Sequence, residues 1–206
     1  MKQKLFTGQL LMDKIIKGAM EAKDVISTTM GPNGGCCALI TNNKVRETKD
    51  GATIAKSFIG SGDEVEKYGA QLLTDASKKM AEIVGDGSTT VVVLTYEILK
   101  AVHKLRTTGK QSFIIESALD FVNKFVKQTI ENIAIKVDCN SNYLEQIATV
   151  AANDAYIGNN IYELFKQLGN DAMIVVDESK SDKDIIKSQD GYFFERGFIS
   201  SWFLKP

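Results

Sequence analysis

Apolar residues recur at steps of three and four over four long stretches of the chain, and this spacing predicts four amphipathic helices. The first covers residues 8–29, with Leu11, Ile15, Ala19, Ala22 and Ile26 along one face and Lys and Glu between them. The second covers 63–84, with Tyr68, Leu72, Ala76 and Met80 on its face. The third, 88–106, opens on β-branched residues, which are poor helix formers, so burial must decide it. The fourth, 112–133, carries Phe113, Phe121, Phe125 and Ile133, a stripe that reads as core rather than as a cofactor box. Between the first two helices, residues 36–40 read as a strand, Asn42-Asn43 as a turn and 45–48 as a second short strand. These elements predict a mostly α domain with small β elements, ending near Ile133.

Beyond Ile133 the pattern changes. Residues 136–142 are polar and turn-like, a candidate hinge. Short helices are predicted over 143–152 and 161–168, then a strand over 172–177 and a solvated polar loop over 179–184. The chain then carries a dense aromatic cluster from Tyr192 to Phe203, with little chain after it to cover it.

Bulk composition narrows the function classes. The 206 residues are 44% hydrophobic and 25% charged, an ordinary globular balance, and only two are prolines. A net charge of -1, from 25 basic and 26 acidic residues, gives no electrostatic reason to expect nucleic acid or an acidic membrane as partner. No apolar run reaches the roughly 18 residues of a membrane span, and the first residues show no signal-type apolar segment. Three cysteines, two of them adjacent (Cys36, Cys37, Cys139), make a poor disulfide framework, and a single histidine, His103, argues against zinc. The expected setting is a reducing cytoplasm with free thiols.

The densest chemistry lies in Gly85-Asp86-Gly87-Ser88-Thr89-Thr90, at the start of the third helix. Glycines let backbone approach a ligand, the outward N–H groups of a helix start favour anions, and a carboxylate tolerates a phosphate when a divalent cation sits between them. This hexamer reads as a phosphate–Mg2+ site or, on local evidence alone, as a surface turn with an N-cap. Met30-Gly31-Pro32 ends the first helix, either as a loop that cups a ligand or as a helix cap and turn. Lys49-Asp50-Gly51 supplies a second carboxylate. Its local chemistry favours a hairpin turn, with a place beside the phosphate site as the other reading. No G-x-x-x-x-G-K-[ST] occurs, which sets a P-loop NTPase last. His103 has no Ser/Asp or Cys partner by spacing and reads as structural.

Met30-Gly31-Pro32, Thr48-Lys49-Asp50-Gly51, Gly69-Ala70-Gln71, the hexamer, and Arg196-Gly197-Phe198-Ile199-Ser200 occur in an order and spacing that resembles the N-terminal part of the group I chaperonins, the GroEL family. The resemblance covers essentially the whole chain. It implies that 1–132 is the first half of an equatorial ATP-binding domain, a helical bundle. It further implies that 133–189 is the first segment of an α+β intermediate hinge domain, and that 190–206 is the start of an apical substrate-binding domain. In the family the chain later returns to complete the equatorial domain, so a fragment of a chain more than twice as long is expected.

The same resemblance implies site roles. Thr29, Met30, Gly31, Pro32, Lys49 and Gly51 would line the nucleotide pocket, and Gly87, Ser88, Thr89 and Thr90 would contact phosphate. Asp86 would hold Mg2+, and Asp50 would be the catalytic carboxylate that orients the attacking water. Phe198, Ser200, Trp202 and Phe203 would bind substrate, and Arg196 would make a domain or subunit salt bridge. The implied cofactors are ATP and Mg2+. The implied partners are unfolded polypeptides, a heptameric double ring of identical subunits and a co-chaperonin lid. Departures from the family pattern stand at Asn33-Gly34-Gly35, Cys36-Cys37, Ser88, Ala151 and Ser201-Trp202, and they bear on ATPase rate more than on fold. The alternative function is a non-enzymatic peptide-binding or ring-docking module without turnover.

Overall fold

Helix formation over the first predicted stretch is settled by what its apolar face can reach. A computed structural model describes residues 5–41, 44–177, 179, 184–188, 191, 197 and 200 of the chain, and in it α1 spans Gly8–Ser27. Its buried residues are Ile15, Gly18, Ala19, Ala22 and Ile26, the predicted face with Gly18 added; Leu11 is half-buried. The strands are β1, Cys37–Thr41, and β2, Lys44–Thr48, paired antiparallel with Cys37 opposite Thr48 and Leu39 opposite Arg46. Next comes α2, Gly51–Ser57, then α3, Glu64–Ile83, α4, Ser88–Thr107, and α5, Ser112–Ile133. The chain divides into two compact units, Met1–Ile133 and Ala134–Pro206.

The core of the first unit is built from Ala19, Ala22 and Ile26 of α1, Ile54 and Ala55 of α2, Ala70 and Leu73 of α3, and Val92 and Tyr96 of α4. Burial of Val92, with Val91 half-buried beside it, supplies what the β-branched start of α4 lacks in propensity. Small residues set the distance between α1 and α3. A Cβ at Gly69 would stand 2.0 Å from the Ile15 carbonyl oxygen, and one at Gly18 would stand 1.7 Å from that of Glu66. The two backbones therefore touch, and charged groups seal the crossing. Lys17 meets the buried Glu66 carboxylate at 3.0 Å, while Lys14 pairs with Glu66 and with Asp63.

That crossing overturns the face predicted for α3. Tyr68 and Leu72 are exposed, Ala76 and Met80 are half-buried, and the buried residues are Glu66, Gly69, Ala70, Leu73, Thr74 and Ser77. Side chains as large as Tyr68 and Leu72 do not fit where backbones touch, so the helix turns its smaller face inward. The aromatic stripe of α5 is also not core. Phe113, Phe121, Phe125 and Ile133 are 63%, 71%, 60% and 72% exposed, and only Ile115 of this helix is buried. No other element among the described residues covers that face. The hairpin turn favoured at Asp50-Gly51 is also replaced. Asp50 is the N-cap of α2, its carboxylate accepting from the N–H groups of Ala52 and Thr53.

In the second unit, α6, Asn142–Ala152, and α7, Ala155–Leu168, pack as a helical pair. The Asp154 carboxylate accepts from the Ile157 N–H, so α7 starts six residues before the predicted Ile161. Ala172–Asp177 is irregular rather than a strand, with Met173, Val175 and Val176 exposed. A strand needs a neighbouring strand to pair with, and among the described residues the one sheet is the β1–β2 hairpin. Arg196, Phe198, Trp202 and Phe203 lie outside the described residues. Ser200 is described.

Candidate functional site

Three segments of the first unit meet at the start of α4. The first follows the end of α1, where Thr28 and Thr29 return their hydroxyls to the Val25 and Ile26 carbonyls at 2.7 and 2.9 Å. The turn through Gly31 then closes back on the helix, with the Gly35 N–H donating to the Thr28 carbonyl at 2.9 Å. The segment is a helix end, and it lies beside the start of α4. The Thr29 hydroxyl lies 3.5 Å from that of Thr89.

The second segment is the step from β2 into α2. Thr48 Oγ1 accepts from the Asp50 N–H at 3.1 Å, which fixes the backbone just before the cap. Gly51 then passes so close to α4 that a Cβ there would stand 2.2 Å from Thr89 Oγ1 and 3.3 Å from Ser88 Oγ. The third segment is the hexamer itself. Gly87 is the N-cap of α4 with φ 75°, a backbone conformation that favours glycine, and no side chain caps the helix. The first N–H groups of α4 are thus left without a side-chain partner, next to the hydroxyls of Ser88, Thr89 and Thr90.

Gly51 is buried, and Thr29, Ser88 and Thr89 are half-buried. Met30, Gly31, Pro32, Lys49, Asp50, Asp86 and Thr90 are exposed around them. Asp86 accepts from the Gly87 N–H at 2.6 Å. Burial pushes the Asp50 carboxyl up, but the Thr53 hydroxyl, the N–H groups of Thr53 and Ala52, and the Lys56 charge together hold it below the ordinary 3.8.

A helix start without a side-chain cap, a glycine whose missing Cβ leaves room beside two hydroxyls, and carboxylates in the adjoining segments fit a Mg2+-bound phosphate chain. Among the described residues no group of three or more His, Cys, Asp or Glu could hold a metal. A cation at this site would therefore take most of its ligands from phosphate and water, the ordinary habit of Mg2+. An open cleft of about 500 Å³ in the second unit, lined by Asn140, Ser141, Asn142, Tyr143 and Gln146, carries no charged side chain suited to phosphate. His103 pairs with Asp13 at 3.1 Å and approaches Gln9 at 3.3 Å, a link between α1 and α4. Two residues of the site region were missed by sequence reasoning, Thr48 and Thr53. The Asp50-x-x-Thr53 spacing of a helix start was the signal that could have found the second.

Mostly helical, with one small hairpin and a glycine-framed helix start, the chain has the architecture of a chaperonin equatorial domain. It belongs to the TCP-1/cpn60 chaperonin family, whose model matches residues 22–191. It is 32% identical over 199 residues to the chaperonin GroEL of Holospora obtusa, covering 96% of this chain and 36% of GroEL. It is also similar to the chaperonin gp146 of bacteriophage EL of Pseudomonas aeruginosa, solved in the presence of ATP-BeFx. Crystal form II gives a TM-score of 0.69 at 28% identity, covering 78% of this chain and 28% of gp146. Crystal form I gives a TM-score of 0.68 at the same identity. The chain thus spans about a third of the length of the relatives it matches. No described helix is long and apolar enough to cross a membrane.

Proposed function

We propose that the protein is a subunit of an ATP-dependent protein-folding chaperonin, and that the meeting of Gly51 with Ser88 and Thr89 is its phosphate site. That convergence carries the reading, because it brings two glycine-framed segments, each with a carboxylate, to one uncapped helix start. The N–H groups and hydroxyls of Ser88, Thr89 and Thr90 donate to phosphate oxygens, and Gly51 and Gly87 keep the backbone close to them. Thr29, Met30, Gly31, Pro32 and Lys49 form the remaining wall. Asp86 holds Mg2+, which when bound neutralises phosphate charge. Asp50 orients the attacking water, so that positioning and charge neutralisation carry the hydrolysis. The reading extends to residues 1–132 as equatorial domain, 133–189 as hinge and 190–206 as the start of the apical domain. There Phe198, Ser200, Trp202 and Phe203 take unfolded polypeptide through apolar burial. It also extends to a heptameric double ring with a co-chaperonin lid, in the cytoplasm.

A fluorescent ATP analogue titrated into the chain with and without Mg2+ tests the site. Mg2+-dependent binding that weakens at least about tenfold in Asp86→Ala is the expected result. Binding unaffected by Asp86→Ala and by Gly51→Val would place the nucleotide elsewhere. A module that binds without turnover is the second reading, favoured by the apolar stripe left uncovered along α5.

A further inference from the structure

Asp50 does two things if it is the carboxylate that orients water: it caps α2, and it must still present an acceptor to the site. The hydrogen bonds show how its two oxygens divide these tasks. Oδ2 accepts from the Thr53 N–H at 2.8 Å and from the Thr53 hydroxyl at 2.5 Å. Among the described residues Oδ1 accepts from the Ala52 N–H alone, at 3.2 Å. Each carboxylate oxygen offers about two lone-pair sites, so Oδ2 is filled by Thr53 alone and Oδ1 keeps one site open. The backbone at Asp50 is fixed by Thr48 on one side and by the buried Gly51 on the other, leaving the side chain little else to move.

We infer that Thr53 is the positioning residue for Asp50: its hydroxyl and amide occupy Oδ2 and so leave Oδ1 as the oxygen that accepts from the attacking water. This rests on the reading of Asp50 given above. No proton leaves Thr53 in this role. The hydroxyl also favours the ionised form, because an O–H bond to a charged carboxylate oxygen is stronger than one to the neutral acid.

The test uses the whole chain with Thr53→Val, Thr53→Ser and Asp50→Asn. The readouts are carbon-13 titration of the Asp50 carboxyl, amide exchange along α2, and hydrolysis of Mg-ATP. Thr53→Val keeps the N–H and the side-chain shape but removes the hydroxyl. It is expected to raise the Asp50 titration, keep α2 protected, and lower kcat roughly tenfold with KM little changed. Thr53→Ser is expected to restore all three. An Asp50 titration unmoved by Thr53→Val, or a Thr53→Ser variant as impaired as Thr53→Val, overturns the inference. Wild-type kinetics in Thr53→Val beside an inactive Asp50→Asn overturn it while leaving Asp50 as the catalytic carboxylate. An Asp50→Asn variant as active as wild type removes the catalytic reading of Asp50 itself, and the positioning role with it. A wild-type chain that does not hydrolyse Mg-ATP overturns the assignment of Oδ1 to an attacking water.

Discussion

Helices α3 and α5 carry the same apolar periodicity, yet one is pressed against a neighbour until the backbones touch and the other stands with its stripe in solvent. The difference lies in the small residues. α3 brings Gly69 against the Ile15 backbone of α1, and α1 brings Gly18 against the Glu66 backbone of α3, and there the helices close. α5 offers Phe113, Phe121 and Phe125, large side chains with no described element to receive them. Periodicity reports that a face exists. Whether the face is covered, and which of two adjacent faces is used, depends on the partner's shape.

The largest break in this comparison is expected at the α1–α3 crossing. Gly69→Val places a side chain where the Ile15 carbonyl already stands 2.0 Å from an ideal Cβ. Because the clash is with backbone, a loss of about 3 kcal/mol or more is expected, read as a drop in denaturation midpoint. A midpoint unchanged within error would mean that the helices do not cross as described. Gly51→Val is expected to be less costly to the fold, at about 1–3 kcal/mol, because its nearest neighbour is the movable Thr89 hydroxyl. Its larger effect should be on Mg-ATP affinity, which is expected to fall at least about tenfold in a binding titration.

Much of this was legible in the sequence. The helix borders of α1, α3, α4 and α5 lie within a residue or two of the periodic pattern. The Asp86 hexamer sits at the start of α4, where its glycines and hydroxyls suggested. Three things were not legible. The inward face of α3 is chosen by a glycine contact some fifty residues away in the chain, which no local window sees. α2 was hidden because Asp-Gly suits both a hairpin turn and a helix start; the Asp50-x-x-Thr53 spacing points to the helix start, and the contact between the two residues decides it. Ala172–Asp177 has a strand's composition without a strand's partner.

Acid should act on the closed region in a defined direction. The Lys14 ammonium beside Asp63, aided by the Glu66 N–H, holds that carboxyl below its ordinary 3.8. The Ser61 side chain, together with the Ser61 backbone N–H, holds Glu21 below its ordinary 4.5. Both groups bind protons less readily folded than unfolded, so the unfolded chain takes up protons first as pH falls. The stability they add is therefore complete above about pH 5, and is lost as pH drops through the lowered folded values. Urea midpoints measured from pH 6 to 3 should decline, and Asp63→Asn should flatten the decline. A variant with an unchanged acid slope would show that the Lys14–Asp63 pair contributes nothing to it.

The smallest effect should come from the helix with the aromatic stripe. Phe121→Ser with Phe125→Ser removes two aromatic side chains from α5, yet both are mostly exposed in this chain. Exposed positions away from special features change stability by about 0.5 kcal/mol or less. Leu73→Ala, at a fully buried site of the crossing, should instead cost about 2–5 kcal/mol. Denaturation of the double variant beside Leu73→Ala makes the contrast quantitative, and an apolar fluorescent dye should bind the double variant less than the wild type. A loss of several kcal/mol in the double variant would mean that the α5 stripe is covered in solution. The two helices would then differ only in what covers them, because shape would no longer separate them.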